Sequence, residues 1–206
     1  MAPHMADERP PGPPVADLTA VTLIGGGGSS WVYSCTRGDQ RLTLKALRRC
    51  YRGREDLLAM MRNEVEKVAR LSCPLVPRHA RCWEEDGVGY VLYDYIEGRT
   101  LQEELPVPPD RQAGLAADLD LILRALEQAG LVHSDVTPTN LLVTPGGRLH
   151  LIDFGLCVDP STEHLNRRVR RQPEFYPPEL LHDRSRVRDL DRFAAERVRA
   201  ALLKAP

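Results

Sequence analysis

The chain has 206 residues, of which 42% are apolar, so it is long enough for one globular domain or for two small lobes. Its 28 basic and 29 acidic side chains give a formal net charge of -1, which lacks the basic excess typical of nucleic-acid-binding proteins. No apolar run reaches the roughly 18 residues of a membrane span. We therefore expect neither a nucleic-acid partner nor a membrane partner.

Residues 1–17 are rich in proline and lack the apolar core of an export signal, which predicts a flexible tail. The chain contains no pair of cysteines at CxxC spacing, and no group of cysteine and histidine residues supplies the four ligands of a zinc site. This pattern favours reduced thiols and a cytoplasmic location, and delivery of the protein into another cell is equally compatible with it. The five cysteines are Cys35, Cys50, Cys73, Cys82 and Cys157.

The N-terminal half begins with an apolar stretch, residues 18–35, that is interrupted by four glycines and two serines. Residues 41–47 alternate between apolar and other residues, which predicts a strand. On that strand Thr43 and Lys45 share one face, because side chains alternate from face to face. The opposite face carries Leu42, Leu44 and Ala46.

Residues 55–72 have the spacing of a helix with one apolar stripe. Glu64 is the exception in that stripe, since it places a carboxylate among apolar side chains. A buried carboxylate requires a cation, whereas a carboxylate at the wet edge of the stripe does not. The spacing alone leaves both interpretations open. The other members of the stripe are Leu57, Met61, Val68 and Leu71.

The C-terminal half alternates turns with helical patterns. A strand is predicted for residues 89–95, a helix for residues 112–129 that stops at Gly130, and a last helix for residues 188–204. Between the helices, residues 140–144 and 148–152 resemble a short hairpin around a Pro-Gly-Gly turn. Because strands come first and helices later, the pattern predicts an α+β fold with a β-rich N-terminal half.

The chemistry is concentrated between His133 and Gly155. Asp135 and Asn140 lie five residues apart in a loop, and Asp153 follows across the predicted hairpin. Because a hairpin brings its ends together, Asn140 and Asp153 are expected to face one site, where two oxygen ligands suit Mg²⁺. Asp135 is then available to accept a proton from a hydroxyl group.

The segment HSDVTPTN resembles the catalytic loop of protein kinases, H-R-D-x-x-x-x-N, and DFG resembles the metal-binding triplet of the same family. The resemblance implies that Asp135 is the catalytic base. It also implies that Asn140 and Asp153 hold Mg²⁺, with Mn²⁺ as an alternative, on the phosphates of ATP. His133 is expected to pack within the loop rather than act as a base.

Two further motifs lie upstream in the order found in protein kinases. LIGGGGSSWVY resembles the glycine-rich loop, in which small residues let backbone N–H groups approach phosphates. Lys45 in LTLK matches the lysine that binds the α- and β-phosphates and pairs with a helical glutamate, here Glu64. In the loop Gly25, Gly27 and Val32 match the pattern, Ser30 replaces the third glycine, and Gly26 and Gly28 complete the predicted phosphate-binding set.

The same resemblance implies an adenine site. Tyr93 would occupy the gatekeeper position, and Asp94 and Ile96 would lie in the hinge and offer backbone hydrogen bonds. The side chains expected to enclose the adenine are those of Ile24, Val32, Thr43 and Leu142.

Near the C-terminal end, QPEFYPPELL resembles the end of a kinase activation segment, with Pro178 and Glu179 at matching positions. In the following segment, RDLDRFAA, Asp189 is expected to be the aspartate that caps the catalytic loop. A simple helix N-cap is the alternative role for Asp189. A basic cluster inside the segment, either a docking patch or a solvated loop, comprises Arg167, Arg168, Arg170 and Arg171.

The resemblance covers residues 20–204 and implies a two-lobed kinase-like fold. The N-lobe is expected to span about residues 18–94, and a shortened helical C-lobe about residues 97–206. Two positions depart from the family pattern: Ser134 replaces the arginine that binds an activation-loop phosphate, and Thr137 replaces the lysine usual in serine/threonine kinases. The chain in these respects is similar to small atypical kinases.

We therefore expect an ATP-dependent kinase that phosphorylates serine or threonine in a protein substrate, whose identity the sequence does not indicate. A small-molecule phosphotransferase shares the H-x-D-x-x-x-x-N loop and is the first alternative. A pseudokinase that uses the fold as a scaffold is the second, suggested by Thr137 and by the short C-lobe.

Overall fold

The computed structural model describes residues 17–78, 80–162, 175–176 and 184–203. The predicted tail up to residue 16, the arginine cluster at residues 167–171, and Pro178 and Glu179 lie outside the described residues. Within those residues the chain forms two compact units. One comprises residues 17–65 and 78–95, and the other comprises residues 66–77 and 96–203.

The first unit is built on a five-stranded antiparallel sheet with the strand order β1-β2-β3-β5-β4. The predicted strand at residues 41–47 is confirmed as β3, and the strand predicted at residues 89–95 is confirmed as β5 with a shift of one residue. The strands are β1 (Thr19–Gly26), β2 (Ser30–Arg37), β3 (Gln40–Leu47), β4 (Arg81–Glu85) and β5 (Val88–Asp94).

The core of this unit lies on one side of β3, as its alternating pattern predicts. Leu44 is fully buried and Leu42 and Ala46 nearly so, whereas Thr43 and Lys45 on the opposite face are only half-buried. Burial of one face and partial exposure of the other follows from the two-residue period of a strand.

Helix α1 (Glu55–Ala69) lies in this unit up to Val65 and buries its apolar stripe. Gly89 on β5 permits close packing, because a Cβ atom there would lie 2.8 Å from both Leu58 Cδ2 and Met61 Sδ. The predicted helix is confirmed, but it ends at Ala69 instead of residue 72. The three residues after it form a turn and irregular backbone that lead to Cys73.

The second unit contains helices and a small sheet of order β6-β7-β8. Helix α3 packs against β8 and α4, so the hairpin and both long helices share one apolar core. Its elements are β6 (Arg99–Thr100), α2 (Leu101–Glu104), α3 (Pro109–Gln128), β7 (Leu141–Val143), β8 (Leu149–Leu151) and α4 (Leu190–Leu202), with short 3₁₀ helices at Phe154–Leu156 and Arg184–Asp189.

Local sequence explains where these helices start and stop. Thr100 and Glu103 form a reciprocal capping box at the start of α2, and Pro109 occupies the first turn of α3, where a missing N–H costs nothing. Gly130 ends α3 with a φ of 68°, a backbone conformation that glycine adopts without strain. The predicted stop at Gly130 is therefore confirmed.

The predicted α+β fold and the hairpin are confirmed, with two further differences at the starts of helices. Helix α3 begins three residues before the predicted start, because Pro109 fits a first helical turn. The last helix begins at Leu190, since residues 184–189 form a tighter 3₁₀ helix. None of the helices in the described ranges combines the length and apolar character that a membrane-spanning segment needs.

Candidate active site

The first unit joins Lys45 on β3 to Glu64 on α1 by an ion pair with a Nζ–Oε2 distance of 2.8 Å. The Glu64 side chain is 2% exposed and that of Lys45 is 15% exposed. Glu64 is therefore buried, and the interpretation that it lies at the wet edge of the α1 stripe is wrong. Burial in a low-dielectric surrounding makes such a pair costly to break, because the remaining charge would be uncompensated.

The glycine-rich loop connects β1 to β2 in the same unit. Its turn is closed by a hydrogen bond of 2.9 Å from the Gly27 N–H to the Ser30 carbonyl oxygen. A Cβ atom on Gly25, Gly27 or Gly28 would meet nothing within 4 Å, so the space on the side-chain side of these three residues is open. Gly26 differs, because a Cβ atom there would lie 2.8 Å from the Trp31 ring.

The adenine residues predicted for the first unit lie along its strands. Val32 on β2 is opposite Lys45 on β3, and Ile24 on β1 is half-exposed. Thr43 on β3 is opposite Tyr93 on β5, and it is also partly exposed.

Asp94, predicted as a hinge residue, is already engaged at its N–H, which donates to the carbonyl oxygen of Arg78 at 3.2 Å. Its side chain accepts a hydrogen bond of 3.0 Å from Gln40. Any backbone hydrogen bond between Asp94 and a nucleotide would therefore have to be accepted by the Asp94 carbonyl oxygen. In the second unit, Ile96 lies two residues after Asp94, and Leu142 pairs with Thr100 and His150. Ile96 and Leu142 are half-buried.

In the second unit, the loop that carries Asp135 is organised by His133. The His133 ring is buried, packs edge-on against Phe154 with the ring centroids 4.6 Å apart, and accepts a hydrogen bond from the Asp135 N–H through Nδ1. Ser134 between them has a φ of 66°, which is uncommon for a residue other than glycine. Such local strain persists only where the surroundings hold the backbone in place.

The group that holds this loop is Asp191 in the first turn of α4. Its Oδ2 accepts from the His133 N–H at 2.6 Å, and its Oδ1 accepts from the Ser134 N–H at 2.9 Å. The prediction that Asp189 caps the loop is wrong. Asp189 is half-exposed, makes no side-chain cap, and pairs with Arg186 at 3.4 Å.

The environment of Asp191 is unusual for a carboxylate. Burial raises its pKa to about 6, although the two backbone hydrogen bonds act in the opposite direction. The nearby charge of Asp135 raises the pKa of Asp191 further. A carboxylate that is fully desolvated and still accepts two backbone N–H groups is a strong positional constraint on the loop.

A second support comes from Tyr176, which the sequence pattern did not single out. Its side chain is fully buried, and its hydroxyl oxygen accepts a hydrogen bond of 2.6 Å from the N–H of Val136, the residue after Asp135. Burial, together with the charges of Asp191 and Asp135, raises the pKa of the Tyr176 hydroxyl well above its usual value. The hydroxyl therefore stays neutral, and it ties residue 176 to the loop.

A backbone hydrogen bond of the hairpin joins Asn140 to the residue before the DFG triplet. The Ile152 N–H donates to the Asn140 carbonyl oxygen at 2.9 Å, which places the residue before Asp153 against Asn140. The Asn140 Nδ2 donates to the Asp135 carbonyl oxygen at 3.0 Å, so the remaining polar atom of its side chain is an oxygen. Asp153 is exposed and has a left-handed φ of 63°.

This donor set fits Mg²⁺, which prefers one or two protein oxygens and takes the rest of its shell from water and phosphate. Within the described residues no cluster of three or more histidine, cysteine, aspartate and glutamate side chains is arranged to hold a metal ion. Asn140 and Asp153 would thus need a phosphate-bearing ligand to complete the coordination.

A sequence model of the protein kinase domain matches residues 18–204, which is most of the 206 residues. The chain belongs to the protein kinase family. The two compact units correspond to the β-rich and helical parts that this fold requires, and the catalytic-loop and DFG motifs occupy the second unit.

Similarity to individual kinases is moderate. The chain is 27% identical over 164 residues to a Clostridium perfringens protein named "Probable serine/threonine-protein kinase", covering 76% of this chain and 24% of that protein. It is 28% identical to the serine/threonine-protein kinase PrkC of Bacillus subtilis, over 68% of this chain and 22% of PrkC. It is 34% identical to the serine/threonine-protein kinase PknL of Mycobacterium tuberculosis, over 65% of this chain and 35% of PknL. This kinase chain thus spans 22–35% of these relatives.

Two loop positions depart from the family pattern, and the structure shows what occupies them. Ser134, in place of the arginine, is fully buried, and within the described residues its hydroxyl has no hydrogen-bond partner. Thr137, in place of the lysine, is buried, and its hydroxyl contacts that of Thr139 at 2.9 Å. Neither position of this kinase supplies a cation.

Proposed function

We propose that this kinase transfers the γ-phosphate of ATP to a serine or threonine hydroxyl of a protein substrate. The observation that carries the proposal is the buried ion pair between Lys45 and Glu64. A buried lysine–glutamate pair is not required for folding alone, because well-packed apolar residues would stabilise the fold as well. It suits a protein that must present a fixed cation to phosphate groups.

In this proposal, Lys45 binds the α- and β-phosphates and the backbone of residues 25–28 surrounds them. Asn140 and Asp153 would hold Mg²⁺, which neutralises charge that develops on the transferred group. The hydroxyl of the acceptor forms a bond to the γ-phosphorus while the bond from that phosphorus to the ADP oxygen breaks. Asp135 accepts the proton that the hydroxyl loses.

The choice of a serine or threonine acceptor is supported by the names of the relatives, which are all serine/threonine-protein kinases. The choice of a protein substrate is supported by the DFG triplet and the FYPPE segment, of which Phe175 and Tyr176 are described. We also propose a cytoplasmic location, because the five cysteines form no disulfide with one another, as expected in a reducing compartment.

The deciding experiment measures transfer of labelled phosphate from ATP to protein in the presence of Mg²⁺. The substitution Asp135→Asn keeps the size of the side chain and removes the base, so we expect kcat to fall by about 10²–10⁴-fold. Asp189→Asn is the matched control, since Asp189 is half-exposed and touches Arg186 instead of the loop. Equal incorporation by wild type and Asp135→Asn would contradict the proposal.

The buried Thr137 favours two alternatives, a scaffold and a small-molecule phosphotransferase, because a threonine supplies no cation for the γ-phosphate. Calorimetry with Mg-ATP distinguishes the scaffold from an active kinase, because a scaffold that no longer binds nucleotide would give no binding heat. A panel of small alcohols and protein lysates separates the phosphotransferase, since turnover of small alcohols alone would exclude a protein kinase.

A further inference from the structure

Arg48, the residue directly after β3, is a buried cation that none of the catalytic roles uses. Only 8% of the residue is exposed. Its guanidinium donates two hydrogen bonds to one acceptor, the carbonyl oxygen of Gly27, from Nε at 3.1 Å and from Nη2 at 2.9 Å. Its backbone N–H donates to the Ser29 carbonyl oxygen at 2.9 Å. Arg48 therefore binds the glycine-rich loop at two carbonyl oxygens, those of Gly27 and Ser29.

Trp31 contacts both Arg48 and the glycine-rich loop. The Arg48 guanidinium lies over the Trp31 ring with its central carbon 3.7 Å from the ring centroid, within the range of a cation–π contact. The same ring lies close to Gly26, where a Cβ atom would be 2.8 Å from a ring carbon of Trp31. Trp31 therefore packs against both the guanidinium and the loop, and the close approach at residue 26 requires glycine.

The hydrogen bonds from Arg48 to the Gly27 carbonyl oxygen also determine the direction of the Gly28 N–H. In a trans peptide the C=O of one residue and the N–H of the following residue point in opposite directions. Because Arg48 holds the Gly27 carbonyl on its own side, the N–H of Gly28 points away from Arg48. Among the described residues no acceptor receives a hydrogen bond from the Gly28 N–H, whereas the Gly27 N–H closes the turn on Ser30.

Without the contacts from Arg48 and Trp31 the glycine-rich loop would be poorly ordered. Four successive glycines, Gly25 to Gly28, have little conformational preference, and ordering each residue costs about 1–2 kcal/mol of backbone entropy. Packing does not supply the restraint, since three of the four have no neighbour within 4 Å of a hypothetical Cβ atom. Arg48 and Trp31 are the side chains that restrain it.

We propose that Arg48 and Trp31 form a brace that holds the glycine-rich loop so that the Gly28 N–H is presented to a phosphate group of the nucleotide. Arg48 acts through the backbone of Gly27 and is a positioning residue. The inference rests on the proposed ATP-dependent function, and it names which loop peptide does the binding and what orients it.

The test is calorimetric binding of ATP, ADP and adenosine to the full chain and its variants. Arg48→Met keeps the length and stacking surface of the side chain but removes the fork of hydrogen bonds. We expect ATP affinity to fall about tenfold, which is the scale of one lost hydrogen bond to a charged group. ADP should lose several-fold and adenosine less than twofold, because adenosine has no phosphate to receive the loop N–H.

Three further variants keep the test decisive. Arg48→Lys preserves the charge but not the pair of hydrogen bonds, so an intermediate loss of ATP affinity is expected. This variant remains informative even if Arg48→Met folds poorly. Trp31→Phe retains a smaller ring and should cost a few-fold in ATP affinity. The control is Arg49→Met, because Arg49 is the exposed neighbour of Arg48. This variant should bind all three ligands as the wild type does.

Phosphate-transfer assays give a second measurement. In Arg48→Met the KM for ATP should rise while kcat at saturating ATP stays within about twofold, since the lost contact stabilises the ground state and the transition state equally.

Equal losses for ATP and adenosine in Arg48→Lys or Arg48→Met would show a merely structural role and overturn the brace. An unchanged affinity for ATP in both variants would overturn it as well. If the wild type bound adenosine and ATP equally weakly, the proposed ATP-dependent function would itself fail. That result is distinguishable from the others because it requires no variant.

Discussion

The two units hold their functional segments in different ways. In the first unit, the supports come from nearby in the sequence: Lys45 pairs with Glu64 nineteen residues later, and Arg48 grips Gly27 twenty-one residues earlier. In the second unit, the loop around Asp135 is held by Tyr176, forty residues after Val136, and by Asp191, fifty-eight residues after His133.

The two segments differ in what their backbones need from the surrounding side chains. The glycine-rich loop lacks side chains and is restrained by charge and stacking on its backbone. The catalytic loop carries bulky buried side chains and a left-handed Ser134, so its backbone N–H groups need acceptors in a dry interior. An arginine can restrain the glycine-rich backbone by donating to its carbonyl oxygen. Carboxylate and hydroxyl oxygens can accept hydrogen bonds from the buried N–H groups of the catalytic loop.

The strongest test of the first unit is removal of Glu64. Glu64→Ala leaves the largely buried Lys45 ammonium without its carboxylate partner, so we expect the free energy of unfolding to fall by about 3–5 kcal/mol. Urea unfolding of the variant measures this. Glu55→Ala on the same helix is the control, because its pair with Arg62 is exposed and should contribute less than about 1 kcal/mol.

The double variant Lys45→Met with Glu64→Leu sharpens the result. It replaces the pair by apolar side chains of similar volume, so it should recover most of the stability that Glu64→Ala loses while phosphate transfer stays absent. A double variant as unstable as Glu64→Ala would mean that the pair is needed for folding, and the argument for a functional cation would fail.

The corresponding test of the second unit uses the pKa of Asp191. Burial raises that pKa from 3.8 to about 6, so the folded state binds the proton more tightly than the unfolded state does. This contribution to stability is fully present below pH 3.8 and is lost as the pH rises through about 6. Its full size is roughly 3 kcal/mol, at about 1.4 kcal/mol for each pH unit.

The measurement is the free energy of unfolding at several values between pH 4 and pH 7 for the wild type and for Asp191→Asn, which cannot titrate. The wild type should lose stability relative to Asp191→Asn as the pH rises. A difference that stays constant over this range would show that Asp191 is ionised throughout in the fold.

The smallest expected effect compares one tyrosine from each unit. Tyr176→Phe removes the acceptor of the buried Val136 N–H, so it should lower the free energy of unfolding by about 1–3 kcal/mol. It should also lower kcat by a larger factor than it changes KM. Tyr33→Phe in the first unit should be neutral or stabilising, because the Tyr33 hydroxyl is buried without a hydrogen-bond partner among the described residues. Burial raises the pKa of Tyr33 to about 12, in keeping with that unpartnered environment. Equal losses in both variants would remove the distinction between the units.

Glu64 and Asp191 show what sequence reasoning found and what it missed. Both are carboxylates on a buried helical stripe, and the same argument applies to both: Asp191 shares its stripe with Ala195, Val198 and Leu202, all of them buried. Glu64 was recognised because Lys45 explained it. Asp189 was expected from the resemblance of RDLDRFAA to the capping segment of kinases, and the position of Asp191 on the buried stripe is the signal that identifies the correct residue.

Arg48 and Tyr176 carried no such signal. An arginine after a strand and a tyrosine in a proline-rich segment are unremarkable in a sequence, and only their contacts with Gly27 and Val136 give them a role. Gly26 was predicted as a phosphate-binding glycine, and the structure adds that Trp31 excludes any larger residue there.

The sequence by itself determined the α+β class, the strand and helix positions, and the order of the motifs, because periodicity and turn residues act over a few neighbouring positions. The kinase resemblance implied the pairing of Lys45 with Glu64, whereas the helical spacing alone left open whether Glu64 is buried. Only the tertiary structure decided which carboxylate holds the catalytic loop and which side chains hold the glycine-rich loop. These choices depend on which buried N–H and C=O groups lack partners, and that is settled only when distant segments pack together.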